Sequence, residues 1–214
     1  MIGEHKMKDY EDLSRKHFDK QAKDYDEKNT YYYSREGKIS CRDIIRYLEE
    51  KNIRFENLLD VGTGTGYLID MLSRKYEARF YGLDLSENMI MQAKAKHIKN
   101  SEFIVGKANK LPFNDSSFDV VTCSQSFHHY PYQLEAMNEA YRVLKPGGIY
   151  ILSDTGIGGI GAWIDNNIIF KLMTSGDCHT TNRYGIEKIM REAKFDVLDS
   201  YRVQGMVYTV IGKK

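Results

Sequence analysis

Leu59-Asp60-Val61-Gly62-Thr63-Gly64-Thr65-Gly66 decides how the rest of the chain is read. Leu58 to Val61 reads as a short buried strand. Tyr67 to Lys75, with Leu68, Met71 and Leu72 on one face, reads as the helix that follows, so the three glycines fall at a strand–helix junction. Glycines at 62, 64 and 66 let the backbone turn tightly and let a ligand rest against main chain where a side chain would collide. A dinucleotide fingerprint would put its third glycine at position 67, which is tyrosine, and no phosphate-gripping lysine follows as in a P-loop.

Outward from this junction, strand-like runs alternate with helical ones. Arg79 to Leu83, Phe103 to Val105, Phe118 to Cys123 and Ile149 to Ser153 read as strands, with helices at Glu87 to Lys96 and Leu134 to Leu144. Parallel neighbours need a crossover, so the alternation predicts a doubly wound α/β sheet with helices on both faces. Lys145-Pro146-Gly147-Gly148 is expected to end a helix and turn the chain sharply into the next strand. After a helix from Tyr184 to Ala193, the runs Phe195 to Val203 and Met206 to Ile211 flank Gln204-Gly205 and predict a hairpin that closes the sheet antiparallel.

Two segments stand outside this pattern. Residues 1–36 form an expected N-terminal helical arm over the site, with Phe18, Ala22 and Tyr25 at helical spacing and Tyr31-Tyr32-Tyr33 packing the arm or lining a pocket. A helix from Ile39 to Glu50, with Ile44, Ile45 and Leu48 on one face, then begins the main domain of residues 37–214. Within it, residues 155–183 read as a substrate-side insertion: a glycine-rich link from Gly156 to Gly161, a helical run from Trp163 to Met173, and the polar stretch Ser175 to Asn182.

Composition narrows the function classes. A length of 214 residues suits one sizeable domain, and 31 basic against 30 acidic side chains give nothing that draws the chain globally to nucleic acid or anionic lipid. Cys41, Cys123 and Cys178 are far apart and form no CxxC pair, so neither a disulfide scaffold nor a structural zinc knuckle is expected, and no metal site is anticipated. The polar first residues lack an apolar stretch, which makes a cytoplasmic protein without integral membrane association the default expectation.

The chemistry-bearing residues cluster at expected strand ends. Asp84, in Tyr81-Gly82-Leu83-Asp84-Leu85-Ser86, is placed to accept hydrogen bonds from both hydroxyls of a ribose, although it could instead cap the helix at Glu87. A third element is Gly106-Lys107-Ala108-Asn109-Lys110-Leu111-Pro112-Phe113, followed by Ser117-Phe118-Asp119-Val120-Val121. Together with Asp60 to Gly66, Asp84 and Arg142-Val143-Leu144-Lys145-Pro146-Gly147-Gly148, these motifs resemble the class I S-adenosylmethionine-dependent methyltransferases. The resemblance is nearest to the branch that methylates small molecules, including the quinone-biosynthesis enzymes. It runs closely from about Phe18 to Tyr150.

The resemblance implies a Rossmann-like sheet of seven strands in the order 3-2-1-4-5-7-6, with only strand 7 antiparallel. It implies S-adenosylmethionine as cofactor, with Asp60 and the backbone of Gly62, Thr63, Gly64 and Gly66 around the methionine part, Asp84 on the ribose and Leu85 against the adenine. Met89, Ala108, Asn109, Ser124 and Tyr25 complete the implied cofactor set. Lys107 stands where the family usually has an acidic residue that accepts from the adenine amino group, which a lysine cannot do.

Methyl transfer mainly requires alignment of an acceptor opposite the sulfonium and exclusion of water. A base is needed only where the acceptor must lose a proton, and His128 and then His129, in Ser124-Gln125-Ser126-Phe127-His128-His129-Tyr130, are the candidates. Phe127 and Tyr130 are expected to shape the wall. The same loop lacks the Asn/Asp-Pro-Pro-aromatic quartet of nucleic-acid amine methyltransferases. A small, partly apolar or aromatic acceptor is therefore expected, with oxygen, nitrogen or carbon as nucleophile, and a monomer or homodimer. The alternatives are a cofactor-binding protein without turnover and an NAD-dependent oxidoreductase.

Overall fold

The computed structural model describes residues 9–26 and 33–214. Strands β1 (Asn57–Val61), β2 (Arg79–Asp84), β3 (Ser101–Val105), β4 (Phe118–Ser124), β5 (Leu144–Thr155), β6 (Asp196–Gln204) and β7 (Val207–Lys213) form one sheet in the order β3-β2-β1-β4-β5-β7-β6. β7 runs antiparallel to both of its neighbours, and the other pairings are parallel. The implied topology is the one found.

Strand periodicity explains why both faces are covered. Leu58, Val120 and Ile151 share one face and meet Ile44 and Leu48 of helix α2 (Tyr33–Glu50) together with Leu68 and Leu72 of α3 (Tyr67–Ser73) and Ile90 of α4 (Glu87–Ala95). Leu59, Val121 and Leu152 point the other way, into a core closed by Met137 and Ala140 of α5 (Gln133–Val143) and Ile186 and Met190 of a later helix. Adjacent apolar residues on a strand serve opposite layers, which is why the central strands read as continuous apolar runs.

Differences from the sequence reading are local. Lys145-Pro146-Gly147-Gly148 lies inside β5 as an irregularity: Leu144 already pairs with Phe118, and regular pairing resumes at Ile149 opposite Val120. The strand can begin early because Leu144 is fully buried beside Phe118. In the insertion, helix α6 (Gly159–Ile164) continues through a widened turn (Asp165–Ile169) and a last turn (Phe170–Leu172), and leaves Ile160, Trp163 and Leu172 strongly exposed. Helix α7 (Arg183–Glu192) then leads into the β6–β7 hairpin.

Helix α1 (Tyr10–Gln21) begins with Asp9 accepting the Asp12 amide at 3.0 Å and is followed by a short 3-10 turn (Ala22–Asp24). It lies against α4 and the segment after β4. Tyr31 and Tyr32 fall outside the described residues, as do residues 1–8. Among the described residues, no helix is long and apolar enough to cross a membrane.

Candidate functional site

The parallel strands end together beside a cleft. The turn after β1 is fixed by the Gly62 and Thr63 amides, which donate to the Leu83 carbonyl at 2.8 and 3.0 Å and so couple the ends of β1 and β2. Gly62 (φ +76°) has no room for a side chain, because a Cβ there would come within 1.9 Å of Ser126 Oγ. Gly64 (φ +55°) differs: a Cβ would meet no protein atom within 4 Å and would extend into the cleft. Gly66 does not line the cleft. A Cβ on it would press on the Phe103 ring at 2.9 Å, so packing behind the turn requires glycine there.

Two buried carboxylates face this turn. Asp60 accepts from Thr122 Oγ1 at 2.7 Å, and burial, only partly offset by that hydrogen bond, pushes its pKa up to about 6. Asp84 Oδ2 accepts the Gly64 amide at 2.8 Å and Oδ1 the Ser86 amide at 2.9 Å. Burial raises its pKa in spite of these donors. The cap of α4 is Ser86, whose Oγ accepts the Met89 amide at 3.1 Å, so Asp84 is not the cap. With Asp84 come Leu85 and Met89 on the same wall, and Thr63 beside Gly64.

Lys107, Ala108 and Asn109, after β3, line the next stretch of cleft. Lys107 Nζ is ion-paired with Glu11 Oε2 of α1. Asn109 Oδ1 is buried and has no hydrogen-bond partner. Open main chain at Gly64, a carboxylate at Asp84 and the amide of Asn109 thus share one cleft, a donor and acceptor set that suits the polar groups of S-adenosylmethionine.

Ser124, Tyr130 and His129 form the wall beyond β4, and Phe18 and Tyr25 reach it from the arm. Phe18 meets His129 edge-on with ring centroids 5.0 Å apart. Phe127, expected on the wall, is 1% exposed and belongs to the core behind it. His128 also stands behind the cleft surface. Its Nδ1 lies 2.7 Å from Asp154 Oδ1, and its backbone amide donates to Asp154 Oδ2 at 3.1 Å. Burial works against protonating His128, but the Asp154 carboxylate outweighs it and raises the pKa. For His129, burial and then the neighbouring His128 ring push the pKa down to about 3.

The insertion reaches this region through residues 176–179, not through the Trp163 helix. The Cys178 and His179 amides donate to the His128 carbonyl, both at 3.2 Å, and no residue of 155–183 lines the cleft. Missed by the sequence reading are Asp154, Asp177 and Glu11. Asp154 had a signal, since it lies at the carboxyl end of a parallel strand. Asp177 and Glu11 had none, because only folding brings them near the site.

The likeness to known proteins falls on the part of the fold that builds this cleft. Residues 59–152 match the family model described as "Methyltransferase domain". Among curated relatives, the demethylmenaquinone methyltransferase of Listeria welshimeri is 39% identical over 113 residues, covering 50% of this chain and 48% of the relative. The ubiquinone/menaquinone biosynthesis C-methyltransferase of Rickettsia typhi is 40% identical over 105 residues, covering 44% and 42%. The chain spans about half the length of the curated relatives it matches. An S-adenosylmethionine-dependent methyltransferase from Aquifex aeolicus shares the fold, with a TM-score of 0.69 at 21% identity, over 91% of this chain and 97% of that one.

Proposed function

We propose that this protein transfers the methyl group of S-adenosylmethionine to an oxygen, nitrogen or carbon nucleophile of a small, partly aromatic acceptor. The observation that carries the reading is the cleft at the strand ends, lined by the open main chain at Gly64, by Asp84 with its carboxylate on the Gly64 amide, and by Asn109. Bound there, the cofactor supplies an activated methyl on a sulfonium. The Gly62–Thr65 turn and Asp60 hold its methionine part, Asp84 the ribose, Leu85 and Met89 the adenine faces, and Asn109 the amino group.

The protein's share of the reaction is alignment and exclusion of water. Phe18, Tyr25 and Tyr130 give the acceptor side an aromatic lining, which supports a flat, partly apolar acceptor such as the quinols suggested by the names of the curated relatives. His129 is the polar end of that wall, with His128 behind it against Asp154, and the two are the pair at which an acceptor proton is handled. His128, set by Asp154, has the greater basicity, and His129 has the position.

Incubating the protein with donor labelled in the methyl group and separate pools of quinols, phenols, amines and nucleic acid tests the reading. Label should enter a small aromatic acceptor. Label entering nucleic acid alone, or none entering any pool despite bound cofactor, contradicts it.

A further inference from the structure

Behind the acceptor wall, three potential metal ligands from two separate segments converge. One donor atom from each of His128, His129 and Asp177 lies within 4.8 Å of the others. Asp177 Oδ1 is 3.7 Å from His128 Nε2 and 3.7 Å from His129 Nδ1. A first-row cation about 2 Å from each donor fits such spacings with small adjustments.

Three further features are those of a built site. His129 Nδ1 is buried without a hydrogen-bond partner, in a residue only 7% exposed. His128 has its other nitrogen on Asp154, the carboxylate–histidine arrangement that fixes the tautomer and turns Nε2 outward as a lone pair. Asp177 has its other oxygen held by Ser175 Oγ, which leaves Oδ1 for the cluster. Asp154 and Asp177 are both buried, and the half-buried Glu36 adds its field from α2, so the pocket is rich in negative charge. A divalent cation offsets that charge.

We propose that His128 Nε2, His129 Nδ1 and the Asp177 carboxylate bind a divalent transition-metal ion of the zinc class. Two imidazoles with one carboxylate suit such an ion and not magnesium or calcium, which prefer oxygen. The ion fastens residues 175–179 of the insertion to the loop after β4. Three protein ligands leave a position for a further oxygen or nitrogen donor. The proposal concerns the same two histidines named under the proposed function, and with the ion bound they act as its ligands in place of the proton-handling role given there.

The test uses the full chain freed of metal by a chelator and titrated with Co²⁺ followed by visible absorption, and with Zn²⁺ and Mg²⁺ by calorimetry. Expected are one equivalent of Co²⁺ with ligand-field bands of a low-coordinate nitrogen–oxygen site, competition by Zn²⁺, and indifference to Mg²⁺. Asp177→Asn and His129→Gln should each weaken Zn²⁺ binding at least about tenfold, with circular dichroism confirming the fold. Absence of the Co²⁺ bands in the unmutated protein overturns the proposal, as does equal Zn²⁺ binding by folded variants. Binding of the demethylated cofactor, measured on the same metal-free sample, separates the two readings: if it binds and the metals do not, only the metal site fails.

Discussion

Lys107, on the turn after β3, is ion-paired with Glu11 of α1, a partner 96 residues away in sequence. The departure from the family pattern at position 107 thus has a structural counterpart: the acidic group sits on the arm, and the lysine holds the arm over the cleft. Other polar ties do the same work, with Asp19 accepting from Ser86 Oγ at 2.6 Å and Asp26 accepting from Thr65 Oγ1 at 2.6 Å.

The pair should govern arm closure more than global stability. Lys107 is half exposed, so the pair contributes about 0.5–1 kcal/mol. Lys107→Asp sets two carboxylates against each other and should speed proteolytic cleavage of the arm, while Glu11→Lys combined with Lys107→Glu restores the slow rate. Bound cofactor should slow cleavage in all of them. Unchanged cleavage in Lys107→Asp would show that the pair does not hold the arm.

Asp60 carries a pH dependence whose sign follows from burial. Its folded-state pKa of about 6 lies above the ordinary 3.8. The stability tied to its protonated form is therefore complete below the ordinary value and is lost as the pH rises through about 6. Asp60→Asn keeps an acceptor for Thr122 and removes the buried charge, so the cofactor-free variant should be more stable than the unmutated protein by about 1–3 kcal/mol in neutral solution. It should also bind cofactor about tenfold more weakly, or worse. Thermal melts across the acid-to-neutral range check the first claim, and a variant that melts below the unmutated protein in neutral solution would refute it.

Gly62 and Gly64 should separate folding from binding. Gly62→Ala drives a Cβ into Ser126 and should cost roughly 2–4 kcal/mol of stability. Gly64→Leu has open space around its Cβ, so beyond backbone strain of about 1 kcal/mol it should fold and lose cofactor binding. Melting temperature and cofactor affinity measured on both variants decide this, and the assignment fails if Gly64→Leu binds normally.

In the proposed binding mode Asp84 has two jobs, because it accepts two backbone amides and is also to accept from the ribose hydroxyls. Asp84→Ala should weaken cofactor binding by about 1.5–3 kcal/mol and also lower the melting temperature, as the Gly64 and Ser86 amides lose their acceptor. Asp84→Asn should fall between. An unchanged dissociation constant in folded Asp84→Ala would remove Asp84 from the ribose.

What the sequence revealed follows from how locally each feature is encoded. The alternation of strands and helices, the closing hairpin and the turn after β1 were legible because apolar runs and glycine spacing are short-range signals, whereas the strand order came from the resemblance. Phe127 was misplaced for the opposite reason: which side of a loop an aromatic ring takes depends on the space that α5 and β5 leave. Gly62 and Gly66 look alike in sequence but answer to Ser126 and Phe103, contacts 64 and 37 residues away. The assembly of Asp154 and Asp177 around His128 is likewise a product of folding, since residues 175–179 return to the loop after β4 only when the insertion is in place.

The central claim is that the cleft over Gly64 and Asp84 is built for S-adenosylmethionine. Calorimetric titration of the unmutated protein with S-adenosylmethionine and with its demethylated product, alongside NADH, tests it most directly. The account predicts micromolar, equimolar binding of both sulfur compounds, lost in Gly64→Leu, and no heat from NADH. Binding of NADH with neither sulfur compound bound would contradict it.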